Sequence, residues 1–242
     1  MPGDRLERIR RRLATDDGGP VGTGRLCAVC AEVTGMSGAG IMLMDGDLPQ
    51  GTVCTTNAVS ALIEELQFTL GEGPCVDAHE QRRPVDEPDL ASPVTPRWLA
   101  FTPPAVEAGA RAVFGFPLDV GGARLGALNL YRDRPGPLSD DQYADALVVA
   151  GVAAQAIIAM QADAAPGVLG AELEVGTNFQ FVVHQASGMV AVQLGVTVTD
   201  ALIRLRAHAF RHEQLVADVA RDVVGGRLRF SEDDDAGEPS NG

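Results

Sequence analysis

Two stretches of the chain hold side chains whose types and spacing could do chemistry. Between positions 204 and 211 lie Arg204, Arg206, His208, Phe210 and Arg211. Stepping 100° per residue along a helix puts Arg204, His208 and Arg211 on one flank of the apolar stripe Val198, Ala201, Leu202, Leu205 and Ala209, and Arg206 on the other. A guanidinium bonds phosphate bidentately and stacks on an unpaired base, and Phe210, outward with Ile203, would add a stacking surface. Plainer roles compete: Arg204 pairs with Asp200 at i,i+4, and Phe210 packs on a third helix or a partner chain. The second stretch joins Gly71-Glu72-Gly73-Pro74-Cys75 to Arg97 and Trp98, the only tryptophan. Cys75 as a redox sensor needs a lowered pKa, and its neighbours Glu72 and Asp77 raise it instead.

Other candidates reduce to packing. Cys27-x-x-Cys30 falls on a helical segment over 22–35 with Leu26, Val29 and Val33, and no second ligand pair accompanies it, so both cysteines read as core. His208-x-x-x-His212 has ligand spacing but supplies only two ligands, and no metal is expected there. No Ser–His–acid or paired-carboxylate constellation stands out, which points to a binding protein rather than an enzyme.

The elements that must position these residues follow from the pattern. Leu6, Ile9 and Leu13 alternate with five arginines in an amphipathic basic arm, 1–20, broken at Asp16-Asp17-Gly18-Gly19-Pro20 and expected to pack on its own dimer. Ile41–Met44, Asp45-Gly46-Asp47 and Gly51–Thr56 form a hairpin, a helix capped by Asn57 follows, Gly71-Glu72-Gly73-Pro74-Cys75 is loop-forming, and a Pro-rich stretch runs from Pro84 to Pro104. Strands over 111–120 and 123–131 flank the two-residue turn Gly121-Gly122. Hairpins separated by helices describe an antiparallel sheet with helices on its faces, an α+β domain over 21–165. Ser139 and Gln142 cap its last helix, which is apolar on almost every side. The run Ala144–Met160 is short of a membrane span, so it reads as a buried helix; Leu147, Val148, Gly151, Ala154 and Ile158 are expected at a homodimer contact, with an intramolecular core as the alternative.

Residues 166–178 read as a linker or helix extension, and 179–230 as an all-α three-helix domain. Its stripes are Phe179, Val182, Val183, Ala186, Val190 and Leu194, ending at Gly195; the second stripe above, begun at Thr197 with Asp200; and Val216, Val219, Ala220 and Val223, ending at Gly225-Gly226. Gln185-Ala186-x-Gly188-Met189, Leu194-Gly195-Val196-Thr197, Leu205-Arg206-x-x-Ala209 and Leu215-x-x-Val219-Ala220-x-x-Val223-Val224 resemble the ANTAR domain, the RNA-binding module of bacterial transcription antiterminators. Ser187 stands where that family usually carries a basic residue, and Ala191 where it carries methionine. The resemblance implies RNA stem-loops as partner and contacts from Gln185, Ser187, Gly188, Arg204, Arg206, His208, Phe210 and Arg211. Gly188 has a second reading as a helix-packing glycine.

Gly71-x-Gly73-Pro74-Cys75-x-x-Ala78, Asp89-Leu90, Arg97-Trp98, Phe116-Pro117-Leu118 and Leu125-Gly126-Ala127-Leu128-Asn129-Leu130-Tyr131 resemble the GAF domain that actinobacterial ANTAR proteins carry at the N-terminus. That implies a PAS-like sensory fold, frequent dimerisation, and a ligand or protein signal near Cys75, Arg97 and Trp98. The lysine of the cyclic-nucleotide signature is absent, because all 19 basic residues are arginine; the ligand or cofactor stays unknown.

Net charge is −14, against the basic footprint of nucleic-acid binders, but it is unevenly spread. Residues 21–165 carry −10, the acidic tail 231–242, expected to be disordered, −5, and 180–230 carry +2. Four cysteines without a signal peptide point to a reducing cytoplasm. A helix-turn-helix DNA binder and a dimeric scaffold without nucleic acid remain the rival readings.

Overall fold

The computed structural model describes residues 2–14, 22–46, 48–162, 171–212 and 214–231, the side chains of 2, 45, 48 and 171–180 apart. The tail beyond Ser231, residues 166–170 of the expected linker, the Asp16–Pro20 break and the Phe179 side chain lie outside the described residues. The chain divides into two compact units, Met1–Thr177 and Asn178–Gly242.

The first unit contains helices α1 (Pro2–Leu13), α2 (Thr23–Thr34), α3 (Ala58–Leu70), α4 (Pro74–Gln81), α5 (Thr102–Glu107) and α6 (Asp140–Gln161). Strands β1 (Gly38–Asp45), β2 (Leu48–Thr55), β3 (Val85–Glu87), β4 (Ala112–Val120) and β5 (Ala123–Arg132) form one antiparallel sheet in the order β2-β1-β5-β4-β3. Gly121 and Gly122 both adopt positive φ, the geometry a two-residue hairpin turn needs to match strand twist. Asn57 caps α3 and Ser139 caps α6 in reciprocal boxes with Ser60 and Gln142, so each cap satisfies donors the first helical turn leaves open.

Alternate residues of each strand face opposite helical layers. Ala39, Ile41, Phe114, Phe116, Leu128 and Leu130 pack with α1, α2 and α6, whereas Val113 and Tyr131 share the other core with Ile63, Ala78, Trp98 and Phe101. Pro74, in the stretch read as loop-forming, stands at the first position of α4, and within the Pro-rich stretch β3 pairs with β4 and α5 begins at Thr102.

Three expectations need correction. The basic arm packs into the first unit: Ile9 and Leu13 are buried in its core, Arg5 and Arg8 reach Asp145 at 2.7 and 2.6 Å, and Arg12 pairs with Glu32. Cys27 is not a free core thiol, because packing of α2 against β2 brings it to Cys54 in a disulfide, while Cys30 stays buried and reduced. On α6, Ala154 is fully buried within its own unit and Val148 is half-buried against the core, leaving Leu147, Gly151 and Ile158 of the expected contact exposed. By length and composition α6 does reach a membrane span, longer than the apolar run suggested, although α1, α2 and β4 pack against it.

The second unit is formed by α7 (Ala171–Leu194) from Asn178 onward, α8 (Val198–Arg211) and α9 (Val216–Val224). Gly195 at φ 63° ends α7, and α8 departs from the 181–194 part of α7 at 105°. Thr197 starts α8 by accepting the Asp200 N–H at 3.1 Å and donating its hydroxyl to the Asp200 carboxylate at 2.7 Å. Val183, Ala186, Val190 and Leu194 meet Ala201, Leu202, Leu205, Ala209, Val216, Val219, Ala220 and Val223 in its core, all buried.

Candidate functional site

The buried stripe of α8 fixes which side chains it offers outward. Arg204, Ala207, His208 and Arg211 line a small, shallow depression open to solvent, with Leu194, Phe230 and Ser231 on its other sides. The chain after α9 returns to reach it: the Phe230 N–H donates to Gln193 Oε1 at 3.0 Å, and the Phe230 ring lies 5.3 Å from that of His208. His208 also stacks on His212 at 4.1 Å, and a His212 ring nitrogen lies 2.9 Å from the His208 carbonyl oxygen. Guanidinium groups beside aromatic rings are the side-chain types that contact phosphate and stack on bases. Phe210 and Ile203 project outward on α8, 63% and 54% exposed.

Gln185 is exposed on α7, and the position of a Cβ on Gly188 is open, so no neighbour explains that glycine as a packing device. Ser187 is fully buried and donates its hydroxyl to the Val183 carbonyl at 2.8 Å, which removes it from any RNA surface. Arg206 is half-buried, and that burial pulls its guanidinium down to about 10, so it belongs to the domain's interior edge rather than to the arginine face. Phe230, three positions beyond Arg227 in a segment without helical pattern, was missed by sequence reasoning; only its aromatic type marked it.

In the first unit the structure connects Arg97 and Trp98 closely, whereas Cys75 is buried on α4. Arg97 lies over the Trp98 ring at 4.3 Å, the indole N–H donates to Asp77 on α4 at 3.1 Å, and Glu72 accepts the Ala100 and Phe101 N–H groups at 2.7 and 2.8 Å. Burial raises the Asp77 carboxyl, opposed by the Trp98 hydrogen bond and Arg97. Cys75 is fully buried, and burial, then nearby Glu64, pushes its thiol well up, so it is unsuited to redox signalling. Glu64 and Gln67, unmarked by any sequence motif, are buried with Asn129, which hydrogen-bonds Glu64, and burial raises Glu64 to about 8. Among the described residues no group of three or more His, Cys, Asp or Glu is placed to hold a metal.

The family model described as GAF domain matches residues 24–158. No curated protein matches the chain. Among solved structures, the GAF domain of a phosphoenolpyruvate-protein phosphotransferase from Coxiella burnetii is 14% identical, with 66% of this chain and 95% of that one covered at a TM-score of 0.49. A domain of a two-component sensor histidine kinase protein from Sinorhizobium meliloti is 20% identical, with 57% and 89% covered at 0.45. The phycocyanobilin-bound GAF domain of a cyanobacterial phytochrome is 16% identical, with 65% and 93% covered at 0.44. With its five-stranded antiparallel sheet between two helical layers and the match over residues 24–158, the chain belongs to the GAF domain family of signal-sensing domains.

Proposed function

We propose that the chain is a signal-responsive RNA-binding regulator, in which the GAF unit receives a small-molecule or protein signal and the three-helix unit binds stem-loops in nascent transcripts and so prevents termination. The observation that carries the reading is the α8 face, where Arg204 and Arg211 lie beside His208, whose ring stacks on His212 and meets Phe230 at a tilt. The resemblance of α7–α9 to ANTAR domains supports the same partner, with Gln185, Gly188 and Phe210 available at the surface. Phosphate contacts position the protein and unpaired loop bases confer specificity, so it acts by binding and not by chemistry. It works in the cytoplasm as a homodimer through the exposed Leu147, Gly151 and Ile158 face of α6. Two weakly basic RNA-binding units held together gain through effective concentration the affinity that one lacks.

Gel retardation of an RNA carrying two stem-loops, beside duplex DNA of matching sequence, tests this. The RNA is retarded at concentrations that leave the duplex unshifted. Equal retardation of both indicates a helix-turn-helix DNA binder, and retardation of neither indicates a protein-interaction scaffold.

A further inference from the structure

The chain after α9 is turned back toward α8 by its own hydrogen bonds. Gly226 takes φ 72°, a conformation glycine adopts at no steric cost, and beyond it the Arg227 and Leu228 N–H groups both donate to the Asp222 carbonyl oxygen, at 2.8 and 3.1 Å. The Arg227 guanidinium closes the turn on the Asp222 carboxylate at 2.7 Å. Phe230 then bonds to Gln193 and sets its ring against His208, so that Ser231 lines the same depression as Arg204 and Arg211.

Directly after Ser231 the sequence reads Glu232-Asp233-Asp234-Asp235, four carboxylates in succession. Fully extended, a run of that length spans about 13 Å. Arg204 and Arg211 lie two turns apart on α8, a rise of about 10 Å. An acidic run that begins beside the arginine face is therefore long enough to cover it. The charges are complementary as well: residues 180–230 carry +2 and 231–242 carry −5, and the basic and acidic parts join at Ser231.

Carboxylate and phosphate ask the same thing of an arginine, since each offers acceptor oxygens to the planar fork of the guanidinium. A face that suits phosphate suits this run too. A single exposed ion pair of this kind contributes little. Attachment changes the balance, because a segment joined directly to Ser231 is held near the face at an effective concentration of roughly millimolar or above. At such a concentration even a contact of millimolar affinity is formed in a large share of the molecules.

We propose that Glu232-Asp233-Asp234-Asp235 dock on the Arg204 and Arg211 face as a built-in competitor of RNA phosphate, so that the RNA-free chain covers its own binding surface and RNA uncovers it by displacement. The competition rests on the RNA-binding reading, whereas the docking is measurable without RNA.

Two measurements on the full chain test it, with the acidic run neutralised by Glu232→Gln/Asp233→Asn/Asp234→Asn/Asp235→Asn and the face removed by Arg204→Ala/Arg211→Ala. Circular dichroism confirms that each variant is folded. In fluorescence anisotropy with a two-stem-loop RNA, neutralising the run tightens binding about fivefold or more in the parent chain, and less than about twofold where Arg204 and Arg211 are replaced. In the RNA-free protein, neutralising the run moves the guanidinium Nε–H NMR resonances of Arg204 and Arg211 and leaves that of Arg221 in place. Salt at about 0.5 M moves the parent's resonances in the same direction, because it screens exposed pairs. Arg204 and Arg211 resonances that stay in place overturn the docking, and an unchanged RNA affinity overturns the competition. An equal gain in affinity with and without the two arginines also overturns the proposal, since it marks general repulsion of RNA by the acidic run. Failure of every variant to bind RNA defeats the RNA reading instead, and the resonances alone then decide whether the run docks.

Discussion

Ser187 and Gly188 are adjacent on α7 and answer opposite questions. Ser187 follows Val183 by four residues and lies on the stripe that meets α8 and α9, where its hydroxyl is bonded to the turn before it. Restoring a basic residue with Ser187→Arg therefore costs about 3 kcal/mol or more of stability in urea unfolding instead of adding an RNA contact. Gly188 has open space at its Cβ position, so Gly188→Ala stabilises by roughly 0.5–1 kcal/mol through helix propensity. Weakened RNA binding by that more stable variant marks close backbone approach as the reason for the glycine; unchanged binding removes Gly188 from the interface.

Glu64 makes a pH prediction at the same scale. Its carboxyl titrates near 8 in the fold against an ordinary 4.5, because burial disfavours the charged form more than Asn129 favours it. The folded state then holds a proton that the unfolded chain releases. This contribution is fully present below pH 4.5 and is lost as pH rises through about 8, at a slope on the order of 1 kcal/mol per pH unit. Glu64→Gln cannot ionise, so chemical denaturation from pH 5 to 8 shows a steeper decline for the parent chain than for the variant. Parallel curves place the Glu64 pKa at its ordinary value and refute the burial argument.

At the scale of elements, α2 is fixed to β2 by the Cys27–Cys54 bond, and α1 is fixed to α6 by Arg5 and Arg8 on Asp145. Thiol titration of the denatured, unreduced protein finds two free cysteines, Cys30 and Cys75, and four after reduction. Reduction lowers stability by about 2–4 kcal/mol. Four thiols before reduction would contradict the Cys27–Cys54 bond.

These elements also show where sequence is informative. Gly121-Gly122, Asn57 and Ser139 act within four residues of themselves, so local chemistry exposes the turn and both caps. The apolar period of α8 likewise separates its buried stripe from Arg204, His208 and Arg211. The burial of Ser187 was also available from its four-residue spacing to Val183, but expectation from family resemblance placed it outward. Contacts that depend on the fold were hidden: Cys27 reaches Cys54 across 27 positions, and Glu64 meets Asn129 only because Gly40 brings α3 down on the sheet. Pro74 after two glycines reads as loop punctuation, yet its fixed φ and missing N–H suit the first position of α4.

For the whole molecule, the charge balance decides how RNA can be held. A chain at −14 repels a polyanion, so binding depends on a small local surface: residues 180–230 at +2, with Arg204 and Arg211 at its depression. Each of those arginines that touches a phosphate releases counterions, which makes the affinity fall with salt in proportion to the number of contacts. The direct measurement is fluorescence anisotropy of a labelled two-stem-loop RNA with the full chain over a salt series, repeated with Arg204→Ala/Arg211→Ala after circular dichroism has shown that variant folded. The account predicts that the double variant binds at least tenfold more weakly and that the slope of log affinity against log salt shrinks by about one to two. An unchanged affinity and slope would contradict it, since the α8 face would then hold no phosphate.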